Sequence, residues 1–278
     1  MYKVLVDSCG DFPESMKRDT HFVSVPLTIY VDEYEIIDDE TFDQADFLRR
    51  VEESPHAPRS ACPSPGEYVK RIEGEEERVY IVTLSARLSG SYNSACLAKS
   101  LYEDDNDDKK IYVFDSKSAS IGETLIAMKV AELEEEGKSF EEVVSETEKY
   151  IASQHTFFCL ETLEHLRKAG RLSNLKAMIA GTLNIKPVMG STDEGDICQL
   201  AQARGMNRAL EKMADCMKNV TDNCSERILA ISHCNAPQIA NKLKEYVEKA
   251  ANFKDIFIVD TAGISSLYAA DGGVIMVV

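Results

Sequence analysis

The densest chemistry in this chain is a run of hydroxyl side chains. From Leu84 to Ala95 the sequence reads Leu-Ser-Ala-Arg-Leu-Ser-Gly-Ser-Tyr-Asn-Ser-Ala, placing Ser85, Ser89, Ser91 and Ser94 around one glycine, Gly90. The apolar run from Val79 to Leu84 before it predicts a buried strand. Tyr92, Ala95, Cys96, Leu101 and Tyr102 after it recur at the spacing of one helix face. A small-residue turn therefore joins a strand's carboxyl end to a helix's amino end, where unpaired backbone amides and the helix dipole favour an anion. The same serines can cap the helix. The stretch alone leaves both roles open.

Other candidates are fewer. Pro58-Arg59-Ser60-Ala61-Cys62-Pro63-Ser64-Pro65-Gly66 is a second hydroxyl loop, stiffened by prolines, and serves equally as a connector or as one wall of a site. Asp7 and Asp11 follow the first strand. Their spacing fits an aspartyl-phosphate nucleophile, but Asp, Ser and Gly there are also ordinary turn residues. His233 ends a later strand, where a satisfied loop histidine is the commoner role. Arg204 lies just beyond another strand, Tyr268 in a carboxyl-terminal connector. No phosphate-binding P-loop, dinucleotide fingerprint, nucleophile elbow or zinc-protease helix occurs. Ser89 as a nucleophile would need a positioned base, and the sequence names none. Many hydroxyls and few titratable groups suit holding an anion better than breaking a bond.

The elements that must position these residues read as alternating strands and helices. Val4 to Val6, Val79 to Leu84 and Ile111 to Asp115 are strands. The last two each run into a hydroxyl-rich turn and then a helix, which predicts βαβ units with their ligand-bearing turns on one edge. His21 to Val31 reads as an extended element broken at Pro26, and Asp32 to Glu40 as a loop or hairpin. A second regime starts near Thr156. It has a strand at Phe157 to Leu160, a basic turn at Lys168 to Ser173, a helix through Met178 to Ala180, and a hairpin of Leu183 to Met189 with Asp196 to Ala201. Strands at Ile228, Ile256 and Val274 follow. The expectation is an α/β fold of two α/β domains, residues 1–153 carrying the hydroxyl loops and residues 154–278 closing a ligand cleft.

Composition narrows the partners. The 278 residues carry a net charge of -17, which repels nucleic-acid backbones. No run reaches the roughly 18–20 apolar residues of a membrane span, and the amino terminus lacks a signal-peptide layout. The 8 cysteines are scattered without C-x-x-C spacing, so a reduced, cytoplasmic protein without a metal or cofactor is the simplest expectation.

Together these stretches resemble the DegV family of bacterial fatty-acid-binding proteins. Arg59 to Pro65 is similar to the family's Thr-Ser-x-Pro-Ser loop, and Leu84 to Ala95 to its Leu-Ser-x-x-Leu-Ser-Gly-Thr-Tyr-x-Ser-Ala motif. Val113 to Ser116 with Ser120 and Gly122 resembles its Val-x-Asp-Ser turn. Leu160 to Ser173 followed by Leu183 to Pro187 resembles its Lys-Gly-Gly-Arg-Ile segment and the next strand. The resemblance implies one long-chain fatty acid buried between two domains and no chemistry of the protein's own. Its carboxylate would lie at Ser60, Ser89 and the Gly90 backbone, and its tail in an apolar tunnel. A separate fatty-acid kinase would phosphorylate the bound acid, with Arg204 near the head and linked to the kinase-facing surface. Where the family's carboxyl-terminal motif commonly has His, this chain has Tyr268, which can donate a hydrogen bond but carries no positive charge. That departure raises the alternative of a carrier without its kinase. The remaining competitor is an enzyme acting on a small carboxylate or phosphate ester through Asp7, Asp11 or Ser89.

Overall fold

A computed structural model describes residues 1–172 and 184–278. The expected helix through Met178 lies outside them. In chain order the first half runs β1 (Tyr2–Asp7), α1 (Glu14–Lys17), β2 (Phe22–Val25), β3 (Thr28–Val31), β4 (Tyr34–Ile37), α2 (Gln44–Glu53), β5 (Arg59–Ala61), α3 (Pro65–Ile72), β6 (Arg78–Thr83), α4 (Ser91–Asp105), β7 (Lys110–Asp115), α5 (Ile121–Glu135) and α6 (Phe140–Ala152). The second runs β8 (Thr156–Cys159), α7 (Glu164–Lys168), β9 (Ile185–Ser191), β10 (Ile197–Arg204), α8 (Met206–Val220), β11 (Ile228–His233), α9 (Pro237–Ala250), β12 (Asp255–Asp260), α10 (Gly263–Ala269) and β13 (Val274–Val277).

The parallel sheet β2-β1-β6-β7 is what consecutive βαβ units build. Its strands are apolar on both faces because helices cover both. Val4, Tyr80 and Phe114 pack on the α5 and α6 side, and Leu5, Ile81 and Val113 with Tyr68 of α3 and Ala95 of α4 on the other. The second half forms the mixed sheet β10-β9-β8-β13-β11-β12, covered on one face by Leu210 and Met213 of α8 and Leu243 of α9.

Two elements depart from the sequence reading. Pro26 does break the early extended segment, but its two halves join different sheets. β2 extends the parallel sheet, whereas β3 pairs antiparallel with β4 and β5 in a separate small sheet. The proline-rich loop thereby gains a strand, Arg59–Ala61, whose Ser60 sits opposite Ile29. The carboxyl-terminal connector expected around Tyr268 is instead the helix α10. Its amino end is capped from far away, by Asp38 accepting from the amides of Gly263 (2.7 Å) and Ile264 (2.9 Å). A cap supplied from the other end of the chain leaves no local signal.

Candidate functional site

The turns after β1, β6 and β7 meet at the carboxyl edge of the parallel sheet, where α/β sheets place ligands. Carboxylates knit them together. Asp115 accepts from the amides of Ala86 and Lys117, at 3.0 and 3.1 Å, pinning the first hydroxyl turn to the second. Asp7 accepts from Leu84 N at 3.0 Å and Cys9 N at 3.1 Å. The proline loop is tied to the same turn by Ser94 Oγ donating to Pro63 O at 2.6 Å. A Cβ at position 90 would lie 3.1 Å from Cys62 Sγ, so glycine lets the two loops close on each other.

The cap position of the helix is held by glycine rather than by one of the serines. Helix α4 starts at Ser91, and its cap residue, Gly90, has no side chain with which to cap it. Ser89 Oγ instead accepts from Ser91 N and shares a hydrogen with Ser91 Oγ, both at 3.1 Å. Ser89 thus takes up the first amide of α4, and its hydroxyl stands at the positive end of the helix, where an anion is favoured.

Beneath the turns lies a narrow, almost wholly apolar slot between the edge of the parallel sheet and one face of the mixed sheet. Its volume, counting the part open to solvent, is about 770 Å³. Leu84, Ala119, Phe158, Leu160, Ile264 and Ile275 line it. Thr156, Phe158 and Leu160 reach it from alternate positions of β8 and just beyond, while Phe157 and Cys159 face the core under α8. Such a slot fits an unbranched hydrocarbon chain better than a polar ligand.

One end of the slot opens to a polar mouth. Leu88, Arg171 and Ile197 line both spaces, and Ser89 and Gly90 line the mouth alone. Arg171 donates through Nε to Leu88 O at 3.0 Å and through Nη1 to Ala169 O at 2.5 Å. Its guanidinium lies 6.0 Å from the Tyr268 ring centre. Among the described residues no carboxylate pairs with it. Tyr268 lines the slot, and its hydroxyl is 3.0 Å from Ser60 Oγ. A cation, several hydroxyls and a helix amino end at the rim of an apolar slot form a receptor for an anion with a long apolar tail.

Of the residues singled out in the sequence, Ser60, Ser89, Gly90 and Tyr268 are thus drawn into one neighbourhood. Arg204 is not. It is the last residue of β10 rather than a residue beyond the strand. It stands exposed opposite Ile185, and the strand's alternation turns Leu200, Gln202 and Arg204 to solvent while Ala201 and Ala203 pack inward. Arg171 is the residue the sequence reading missed as a site residue. Its only signal was the basic turn at Lys168 to Arg171. His233 is buried, with Nδ1 accepting from Ala236 N at 3.3 Å, and burial lowers its pKa. Asp7 and Asp11 are buried too, and Asp11 accepts from Ala262 N at 2.6 Å and from Ser120 Oγ.

Desolvation by burial raises the pKa of Asp7 to about 6, of Asp11 to about 7 and of Asp38 to about 6. A carboxyl whose folded pKa exceeds its unfolded one is better tolerated when protonated. Its contribution to stability therefore falls as pH rises from about 4 towards 7. Surface carboxylates such as Glu67 and Glu164, lowered by hydrogen bonds to neighbouring cations, work the other way and lose their contribution as pH falls through their lowered pKa values. Thermal scans are expected to give a melting temperature several degrees higher near pH 5.5 than near pH 8. A flat or opposite profile would count against the buried-carboxyl account.

A model of the DegV family, described as an uncharacterised protein, matches residues 1–277. A DegV domain-containing protein of Streptococcus pneumoniae is 34% identical over 277 residues, covering 99% of this chain and 98% of its own length. A DegV-family protein from Ruminococcus gnavus, solved with vaccenic acid, superposes with a TM-score of 0.98 at 50% identity, over 100% of this chain and 99% of that one. The Fatty Acid Kinase (Fak) B3 protein of Streptococcus pneumoniae, solved loaded with linoleic acid, gives 0.90 at 34% identity, over 100% and 98%.

Proposed function

We propose a function for this chain, which belongs to the DegV family: it binds one long-chain fatty acid and presents it to a fatty-acid kinase for acyl-phosphate formation. The observation that carries the reading is the apolar slot opening under a mouth that holds Ser89, Gly90 and Arg171, with the Ser60–Tyr268 hydroxyl pair alongside. The acyl chain lies in the slot, where each buried methylene contributes roughly 0.8 kcal/mol before ordering costs. The carboxylate stays at the mouth, because a carboxylate drawn further in would lose its hydrogen bonds. Relatives described as carrying vaccenic and linoleic acids support this choice of ligand.

In this reading the parallel sheet with its hydroxyl turns is one domain, residues 1–153, and the mixed sheet is the other, residues 154–278. The protein is a carrier without chemistry of its own, with no cofactor, working in the cytoplasm with its cysteines reduced. Buried Asp7 and Asp11, both spent on backbone amides, fit a holding role better than a nucleophilic one.

Extraction of the purified protein followed by mass spectrometry is expected to release a fatty acid at near one per chain, and palmitate or oleate to raise the melting temperature of delipidated protein. No extracted acid together with no thermal shift would sink the proposal. Tyr268→Phe removes the Ser60 partner without changing the ring. It is expected to weaken oleate binding by about threefold to tenfold, one neutral hydrogen bond's worth. Mixing the loaded protein with a fatty-acid kinase and ATP is expected to yield acyl-phosphate despite Tyr268; no product with a kinase active on another carrier would leave binding alone.

A further inference from the structure

Behind the hydroxyl turn sits a cluster that the lipid-carrier reading does not use. Asp7, Cys9 and Glu123 bring a ligand atom each within 4.8 Å of one another, and all three are buried. Glu123 projects from α5 and is 0% exposed, and among the described residues its carboxyl oxygens meet no donor except the neighbouring Cys9 thiol. The Tyr68 hydroxyl of α3, also buried, lies in the field of Asp7 and Glu123 beside the Ser91 hydroxyl. Among the described residues no salt bridge reaches Asp7 or Glu123, and no Lys, Arg or His figures among the groups acting most strongly on either. The other groups facing them are acidic or neutral, namely Asp11, Asp38, Cys9, Ser91 and Tyr68.

Two buried carboxylates within 4.8 Å of each other are strongly disfavoured from both being ionised without a cation. They can share one proton, and the geometry says which way round. Asp7 already accepts from the amides of Leu84 and Cys9 and is supported by the Ser91 hydroxyl, all of which favour its anion. Among the described residues Glu123 accepts from no backbone amide and has only the weak Cys9 thiol as a donor. We propose that Glu123 is a neutral carboxylic acid donating its proton to the Asp7 carboxylate, and that this pair is the positioning element for the turn that carries Ser89. The proton supplies the missing partner of Glu123. It also keeps Asp7 ionised and accepting, so that Leu84 N and Ser91, at the two ends of the turn, are held at once. Ser91 in turn meets Ser89 at 3.1 Å. Burial and the neighbouring Asp7 charge push the Glu123 carboxyl well above the usual carboxylate range, in keeping with this assignment.

The positioning half of the proposal rests on the fatty-acid reading; the shared proton does not. Infrared spectra of the full chain near pH 8 are expected to show the carbonyl stretch of one protonated carboxyl, absent from Glu123→Gln. Affinity for a fluorescent fatty acid is expected to fall about tenfold in Glu123→Ala, as for a lost charge-assisted hydrogen bond. Glu123→Gln, which still donates to Asp7, is expected to recover most of that loss, with circular dichroism confirming that both variants fold. No protonated-carboxyl band, or a band untouched by Glu123→Gln, would overturn the proposal. So would stoichiometric uptake of Zn²⁺ or Mn²⁺ by dialysed protein that disappears in Glu123→Gln, which would make the cluster a cation site. Equal affinity losses in the Ala and Gln variants would remove the positioning role. If the unmodified protein bound no fatty acid while keeping the band, the carrier reading would fail and the proton pair would stand.

Discussion

Arg171→Ala is expected to cost about 10-fold to 100-fold in fatty-acid affinity, the worth of a hydrogen bond between charged groups. The expectation follows from its position. Arg171 lines both the slot and its mouth, is held there by the Leu88 and Ala169 carbonyls, and has no carboxylate partner among the described residues. In a chain of net charge -17 it is a local positive site in a repulsive field. Ser89→Ala removes one hydroxyl from a group of donors and is expected to cost less, about threefold to tenfold. Titration of delipidated protein with a fluorescent fatty acid at two salt concentrations checks both. The Arg171 loss should shrink as salt rises, because it is charge-borne and half-exposed, and the Ser89 loss should not. An Arg171→Ala protein with unchanged affinity would move the carboxylate away from this mouth.

The second large effect concerns the tail. Ala119→Phe puts a ring into the slot beside Leu84 and Ile264 and displaces about four methylenes of a bound chain. At roughly 0.8 kcal/mol per methylene that amounts to ~3 kcal/mol, or about 100-fold in affinity, for acids of sixteen or eighteen carbons. Short acids that never reach the ring should bind the variant about as they bind the unmodified protein. A series of saturated acids of increasing length measures this directly. A loss independent of length would mean that the ring disturbs the head-group site or the fold, and a melting curve separates those two.

Legibility in the sequence followed the range of the interactions. The βαβ repeat was readable because each unit's period, turn and helix are contiguous, and the parallel sheet that resulted is the one those units build. The hydroxyl turn was readable for the same reason, although glycine rather than serine holds the cap position of α4 and Ser89 reaches its first amide. What escaped were features assembled from distant segments. Arg59–Ala61 becomes a strand only because β3 offers it an edge. Helix α10 starts where it does because Asp38, some two hundred residues earlier, accepts from its first amides. Arg171 becomes a mouth residue only when the turn after α7 is brought against Leu88.

By itself the sequence determined the α/β class, the strand-to-helix turn at Leu84 to Ala95 and the collection of hydroxyls at Ser60 and Ser89. Periodicity, turn chemistry and residue type are local properties, and a chain carries them wherever it folds. Only the tertiary structure decided that Tyr268 meets Ser60, that Arg171 rather than Arg204 stands at the opening, and that an apolar slot runs beneath. Those are matters of which faces are left unfilled when two sheets are packed together. Unfilled space has no residue of its own to announce it.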